Sequence, residues 1–339
     1  MSADAGDGSA AGGAPATSAG ARSEPRCSDL ARRRGDPLVG TAPPARRWLL
    51  VELESRWLPT AVDSLGLDPS AREDLTRAAA RARARIMLIR RPGRPAAHEP
   101  ASAPGARRRA WCVVDDPVLA RGPVTTWGTW TTPGDLLEAG RLLQAQATSE
   151  SAPVEPVRAG PGTSAGTPSL LLVCAHGRHD VCCATRGRPV AAELRRAWPE
   201  ATWECSHTGG DRFAANLIVL PDGACYGGLD PDSAVQVVQR HVAGSPDTAY
   251  LRGRTGWSRP AQAALLAAHR AMPGSAWGAF AVKDVTSSGP QHMVYLSAGQ
   301  ATFAVPVTEQ ARDAERITCA ATADGRVVVP VAGEVQLLP

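Results

Sequence analysis

Residues 169–183, Ser-Leu-Leu-Leu-Val-Cys-Ala-His-Gly-Arg-His-Asp-Val-Cys-Cys, contain the pattern that decides the fold. The first five residues form a short, continuous apolar run, which is typical of a strand buried on both faces. We interpret Cys174 as the last residue of this strand. A polar loop follows and ends at the adjacent pair Cys182–Cys183. Pro189 stands where it can open a helix, which we predict to run to Trp198.

A second cysteine and histidine segment, Cys205-Ser-His207-Thr-Gly-Gly-Asp211, follows another strand-like run, Thr202–Cys205. If these two strands are parallel and joined by the predicted helix, their carboxyl ends lie at one edge of the sheet, where ligand sites of α/β proteins form. Thiolates and imidazoles gathered at one edge can bind a metal ion or an iron-sulfur cluster. We therefore predict that both segments converge on one site.

The remaining pattern predicts an α/β (α+β) fold, in which the middle of the chain has the order β-α-β-β-β-α of a thioredoxin-like core. No internal repeat is visible in the sequence. The chain is divided into a disordered tail (1–44), an N-terminal α/β subdomain (45–147), a linker (148–167), a thioredoxin-like domain (168–273) and an antiparallel β extension (274–339). The tail has almost no large apolar side chain to offset its ordering entropy, and we take its Cys27 as an incidental thiol.

Composition excludes some functions. The 339 residues carry a formal net charge of +4, which gives no argument for nucleic-acid binding. Apolar runs are too short to cross a membrane, and the N-terminus lacks the apolar region of a secretory signal. We therefore predict a cytoplasmic protein with no membrane partner. Disulfides are rare in that compartment, where clustered cysteines more often bind metal or carry out redox chemistry.

The cysteines and histidines do not all point to the site. Cys182 and Cys183 are adjacent and their side chains point apart, so we expect one to be a ligand and the other a small buried hydrophobe. His176 and His179 flank the loop, either as ligands or as exposed polar residues. Cys112 and Cys319 are expected in core strands, and Cys225 in a hairpin strand near the site. The four remaining histidines are expected to be structural or surface residues: His98, His241, His269 and His292.

Several motifs resemble the sucrase/ferredoxin-like family, whose members resemble thioredoxin-like ferredoxins. The resemblance is closest over residues 168–230 and weaker out to Trp48 and Arg270. The motifs are Cys-x-His-Gly-x-x-Asp-x-Cys-Cys from Cys174, Ser-His-x-Gly-Gly-Asp-Arg-Phe-Ala-x-Asn-Leu from Ser206, Pro-Asp-Gly-x-x-Tyr-Gly from Pro221, and Tyr-Leu-Arg-Gly-Arg-Thr-Gly from Tyr250.

The resemblance implies a 2Fe-2S cluster held by two cysteines and two histidines. Cys174 and Cys183 match the cysteine pair, and His207 matches the first histidine. Asp211 stands where the family has its second histidine, which makes it the expected fourth ligand. Cys205 is the alternative for that place, and Cys182 is the alternative for Cys183.

We therefore expect a 2Fe-2S, thioredoxin-like ferredoxin that transfers electrons between donor and acceptor proteins that the sequence does not identify. One alternative is a structural zinc site, which two thiolates, an imidazole and a carboxylate satisfy. Another is a thiol-based redox protein, although the adjacent cysteine pair is not the usual Cys-x-x-Cys. Despite the family's label we do not expect sugar hydrolysis, because we can nominate no carboxylate pair for it.

Overall fold

The computed structural model describes residues 25–93, 108–116, 124–148 and 170–339. Within these ranges it has six α-helices and two sheets, so the predicted α+β class is confirmed. No helix in the described part of the chain combines the length and apolar character needed to cross a membrane.

The helices are α1 (Cys27–Arg34), α2 (Pro69–Arg81), α3 (Pro133–Thr148), α4 (Val181–Ala197), α5 (Pro231–Val242) and α6 (Arg259–Ala271). The strands of the larger sheet are β1 (Arg47–Glu52), β2 (Ala84–Arg90), β3 (Arg109–Val114), β4 (Thr125–Trp130), β5 (Leu170–Cys174), β6 (Thr202–Cys205), β7 (Leu217–Leu220), β8 (Ala224–Tyr226) and β9 (Leu251–Arg254). Those of the smaller sheet are β10 (Ala281–Ser288), β11 (Gln291–Ala298), β12 (Ala301–Ala314), β13 (Gly325–Ala332) and β14 (Gln336–Leu337).

The larger sheet contains the same topology twice. Its nine strands lie in the order β4-β3-β1-β2-β6-β5-β7-β8-β9. In each half the first two strands are parallel, the third pairs antiparallel with the first, and the fourth with the third. Both halves therefore have the β-α-β-β-β-α order that was predicted for the second alone. We call them the N-terminal unit (47–148) and the C-terminal unit (170–242). Because the sequence shows no visible repeat, this repeated topology was not predicted.

The two units join edge to edge through β2 and β6. These strands pair antiparallel, with Ile89 opposite Cys205. The backbone beyond β6 continues along β2, where the Ser206 N–H donates to the Leu88 carbonyl at 2.8 Å. The loop that follows Cys205 therefore lies against the N-terminal unit.

Strand β5 is buried on both faces, as its apolar run predicts. Leu171 and Val173 belong to an apolar cluster formed with α4 and α5. Leu170 and Leu172 belong to a second cluster on the other face of the sheet, which extends to residues of β1 and β2. The strand that ends at Cys174 is thus held rigidly in the centre of the larger sheet.

Helix α4 begins at Val181, eight residues before the predicted start at Pro189. Its N-cap is Asp180, whose Oδ1 accepts the Cys182 N–H at 2.8 Å. Pro189 lies inside the helix instead of opening it. The correction matters for the site, because it places Cys182 and Cys183 in the first helical turn and not in a loop.

The predicted disordered tail differs from the structure over residues 25–44. Helix α1 lies there, with Cys27, Leu30 and Ala31 buried and Gly35 as a left-handed C-cap. These buried residues dock α1, which packs against the short 3₁₀ helix Asp211–Phe213. Residues 1–24 and 149–167, which include nearly all of the predicted linker, lie outside the described residues.

The C-terminal part forms the predicted antiparallel β extension. Strands β10 to β13 lie side by side, and β14 pairs with β12. Helix α6, which falls within the predicted thioredoxin-like domain (168–273), packs on this sheet through Ala263, Ala264 and Ala268. Cys319, expected in a core strand, lies instead in a turn of the connection between β12 and β13.

Candidate metal centre

Three predicted ligands come together at the carboxyl ends of β5 and β6. The ligand atoms of Cys174, Cys183 and His207 all lie within 4.8 Å of one another. Cys174 ends β5, Cys183 lies in the first turn of α4, and His207 follows β6. Strands β5 and β6 are parallel, with Cys174 beside Cys205 in the register. The sheet edge predicted from the two sequence segments is therefore the place where these residues meet.

Helix α4 reaches Cys174 closely because of one glycine. A Cβ on Gly187 would lie 1.9 Å from the Cys174 carbonyl oxygen, so no larger residue fits between helix and strand. This close approach keeps the first turn of α4, and with it Cys183, beside the end of β5.

Asp211 also reaches the site. Its Oδ1 accepts a hydrogen bond from the Cys183 thiol at 3.1 Å and lies 2.9 Å from His207 Nδ1. Asp211 is buried and opens a 3₁₀ helix directly after Gly210, which has φ +78°. Asp211, His207 and His179 form a second group with ligand atoms within 4.8 Å, and the His179 ring stacks on His207 with centroids 3.7 Å apart.

The buried anionic groups of the centre stabilise positive charge at His207. The hydrogen bond with Cys183 holds the pKa of the Cys174 thiol well below its usual value, and the same contact, with burial, raises the pKa of Cys183. Burial alone would lower the pKa of His207, but its contacts with Asp211 and Cys174 outweigh burial and raise that pKa to about 9. A buried thiolate and a buried carboxylate therefore surround one imidazole.

Neither of the predicted alternative ligands belongs to the ligand group of Cys174, Cys183 and His207. Cys205 belongs to a buried apolar cluster that also contains Ile89, Ile218 and Cys225. Cys182 points away from Cys183 and contacts Cys27 and Cys319, as the opposed directions of adjacent side chains predict. Cys112 lies in the same apolar cluster as Cys205, so its predicted role in the core is confirmed.

His176 supports the site without joining the ligand group. The residue is buried, and its Nε2 donates to the Leu58 carbonyl at 2.8 Å. Its Nδ1 accepts the His207 N–H at 3.4 Å. Burial lowers the pKa of His176, which keeps the ring neutral and able to make both contacts.

Three polar residues that sequence reasoning did not assign hold the ligand loop. Arg85 of β2 donates to the carbonyls of His207 at 2.6 Å and Thr208 at 2.9 Å. Arg252 of β9 donates to the Gly209 carbonyl at 2.9 Å and to Asn216 Oδ1 at 2.8 Å. Asn216 lies in the family motif that begins at Ser206, and Arg252 in the one that begins at Tyr250, so the sequence could have indicated both. Arg85 is one of many arginines in its region, and nothing in the sequence distinguishes it.

A cleft of about 700 Å³ opens beside the imidazoles. It is lined on one side by His176, His179 and His207 and on the other by residues of the N-terminal unit, among them Pro59 and Ile86. The imidazole side of the centre therefore faces solvent, whereas Cys174 and Cys183 are fully buried.

A family model described as sucrase/ferredoxin-like matches residues 38–253, well over half of the chain. The chain belongs to the sucrase/ferredoxin-like family. Searches of curated proteins and of solved structures found no match. The sucrase/ferredoxin-like match contains both units of the larger sheet and all four predicted ligands. It leaves out Cys27 at one end and Cys319 at the other.

Proposed function

We propose that this chain is an electron-transfer protein that carries a 2Fe-2S cluster on Cys174, Cys183, His207 and Asp211. The observation that carries the proposal is the convergence of two thiols and an imidazole within 4.8 Å at a strand edge. Membership of the sucrase/ferredoxin-like family supports it.

The donor set fits such a cluster. Thiolates stabilise ferric iron, and neutral imidazole in place of thiolate raises the reduction potential. Asp211 supplies a carboxylate, a harder ligand that favours the ferric state. When bound, the cluster supplies the capacity to take up and release one electron. The protein contributes burial of the two thiolates and exposure of the imidazole.

His207 is the route through which a partner would exchange electrons. Its side chain is 20% exposed, and its ring is stacked on the exposed ring of His179. The cleft beside these rings is lined by His207, so a partner that enters the cleft can contact this residue. Arg85 holds the backbone of His207 in place, so the imidazole stays oriented while its other face meets the partner.

A basic surface beside the centre suits an acidic partner. A second, smaller depression of about 250 Å³ is lined by Arg56, Arg90, Arg178 and Arg188 around Trp57 and His176. Arg56, Arg178 and Arg188 are exposed. Positive potential at this position would steer an acidic donor or acceptor protein towards the imidazole side, with an association rate that falls as salt is added.

The second candidate function is zinc binding. The short distances between the donor atoms of the site favour it. A tetrahedral zinc ion holds its ligand atoms about 3.3–3.8 Å apart, given bond lengths of about 2.0–2.3 Å. Asp211 Oδ1 already lies 3.1 Å from Cys183 Sγ and 2.9 Å from His207 Nδ1.

Metal analysis separates the two candidates. The full chain, purified without oxygen, is expected to be red-brown and to contain iron and acid-labile sulfide in equal amounts. Cys174→Ser and Cys183→Ser should lose both, whereas Cys112→Ser, a matched change of a buried core cysteine, should keep both. A colourless protein with zinc that depends on Cys174 would establish the second candidate instead.

The fourth ligand is tested by a pair of variants. Asp211→Ala is expected to lose or alter the visible and paramagnetic spectra, while Cys205→Ala keeps them. Asp211→His is expected to keep the cluster and raise its potential, because imidazole replaces a carboxylate. The reverse pattern, with Cys205→Ala losing the spectrum and Asp211→Ala keeping it, would make the site one of three cysteines and one histidine.

A further inference from the structure

Three cysteines that the centre does not use meet on the other side of the first turn of α4. The Sγ atoms of Cys27, Cys182 and Cys319 lie 3.6 Å (27–182), 3.2 Å (182–319) and 3.5 Å (27–319) apart. Asp180 Oδ2 lies 3.9 Å from Cys27 Sγ, and the four ligand atoms are all within 4.8 Å of one another.

We propose that Cys27, Cys182, Cys319 and Asp180 form a second metal site, which takes one zinc ion. Zinc–sulfur bonds of about 2.3 Å set sulfur atoms about 3.7 Å apart in a tetrahedron. The three observed separations, 3.6, 3.5 and 3.2 Å, are about 0.1 to 0.5 Å shorter than that distance. Three thiolates and a carboxylate are a donor set that zinc accepts and that magnesium or calcium would not choose.

The carboxylate of Asp180 is fixed by the backbone. Its Oδ1 accepts the Cys182 N–H at 2.8 Å, and its Oδ2 accepts the Cys319 N–H at 2.7 Å. Asp180 is buried, so it is unlike a solvated surface acid. Asp180 also caps α4, and beyond that structural role one of its carboxylate oxygens lies within 4.8 Å of all three sulfur atoms.

Surrounding donors offset the negative charge of the site. Ser28 Oγ donates to Cys182 Sγ at 3.2 Å and accepts from Arg186 Nε at 2.9 Å. Cys182 also lies at the N-terminus of α4, where the helix dipole stabilises a thiolate. These contacts fix the Cys182 side chain in the way that outer partners usually orient a metal ligand.

The second site would join three distant segments. Cys27 lies in α1, Cys182 in α4, and Cys319 between β12 and β13, with sequence separations of 155 and 137 residues. Zinc would therefore attach the N-terminal helix and the smaller sheet to the C-terminal unit, since its binding energy is available only when all three segments are docked. It would also fix the turn that presents Cys183.

Zinc content tests the site in the full chain. Cys27→Ser and Cys319→Ser should each contain one zinc fewer per chain than the wild type, while their iron content and visible spectrum stay unchanged. Cys112→Ser should keep all zinc, and Cys174→Ser should lose iron and keep this zinc. Failure of the 2Fe-2S proposal would leave the difference between the wild type and Cys27→Ser intact, so the two proposals are distinguished.

Cobalt(II) titration of the metal-free, folded chain gives a second readout. The wild type should show intense thiolate-to-cobalt absorption that is weakened in Cys319→Ala, a variant whose mutated residue is only partly buried. Zinc content that is equal in the wild type and both serine variants would overturn the proposal. So would a wild type that holds no zinc and takes up none, or a disulfide among these cysteines in protein prepared without oxygen.

Discussion

The two units of the larger sheet share one connectivity but use the ends of their first strands differently. In the C-terminal unit the first strand, β5, ends at Cys174, which lies close to His207 in the loop after β6. In the N-terminal unit the first strand ends at Glu52, whose Oε2 accepts the Ala110 N–H at 2.8 Å, and buried Leu53 and Trp57 follow. One topology thus forms a ligand edge in one unit and an apolar corner in the other, because side chains at strand ends, and not the fold, decide the chemistry.

The N-terminal unit still contributes to the centre, as its cover. The loop after β1 contacts His176 through the Leu58 carbonyl and His179 through the Pro59 carbonyl. Trp57 lies edge-on to His176 with ring centroids 5.7 Å apart. The candidate metal centre therefore lies at the junction of the two units, and we expect damage to the apolar corner to reach the ligand loop.

The largest expected effect in the comparison comes from Trp57→Ala. Trp57 is 3% exposed, packs in the apolar cluster of the N-terminal unit and donates from Nε1 to the Leu53 carbonyl at 2.9 Å. Removing a buried tryptophan should lower the free energy of unfolding by about 3–5 kcal/mol in urea titrations. Trp127→Ala is the control, because Trp127 is 47% exposed, and it should cost less than about 1 kcal/mol. Equal costs would contradict the description of a buried corner.

The second-largest expected effect is a loss of stability in acid that comes from His269 of α6, the helix that packs on the smaller sheet. Burial lowers the pKa of His269, on α6, to about 4. Between pH 6.5 and 4 the unfolded chain binds a proton at this residue that the folded chain does not, so stability falls as the pH falls through that range. The loss should approach about 3 kcal/mol at pH 4.

The test compares unfolding free energies of the wild type and His269→Gln from pH 7 to pH 4. The variant should lose less stability over this range, because it has no imidazole to protonate. Parallel curves would show that His269 does not couple protonation to folding.

A smaller effect is expected from Arg85→Ala, which removes the two side-chain hydrogen bonds that Arg85 donates to the ligand loop. The cost should be about 1–3 kcal/mol, with faster loss of metal to a chelator. Arg77→Ala is the matched control, since Arg77 only pairs with Glu73 and Asp74 on the exposed face of α2. Unchanged metal loss in Arg85→Ala would mean that the Arg85 side chain does not hold the ligand loop in place.

Local patterns predicted much of the structure. The apolar run before Cys174 gave a doubly buried strand, and the converging segments placed Cys183 and His207 at one edge. Strand β4, with its partly exposed sequence Thr-Thr-Trp-Gly-Thr-Trp, was missed because it has no clear alternation. Gly128 is needed there, since a Cβ would lie 2.1 Å from the Trp111 ring, and only the packed structure shows this.

Contacts between distant residues could not be predicted. Cys27 and Cys319 are 292 positions apart, and each lies in a segment without a ligand motif. Their approach depends on the docking of α1 and of the smaller sheet on α4. The repeated topology was hidden for a related reason, because the two units keep the same positions of strands and helices with different side chains.

The central claim is that the ligand edge of the C-terminal unit holds a 2Fe-2S cluster, and X-ray absorption at the iron edge tests it most directly. For the full chain purified without oxygen, we predict an iron–iron scattering path together with sulfur and lighter nitrogen or oxygen neighbours, all lost in Cys174→Ser. Iron without a second iron neighbour, or no iron at all and zinc bound through Cys174, would contradict the claim.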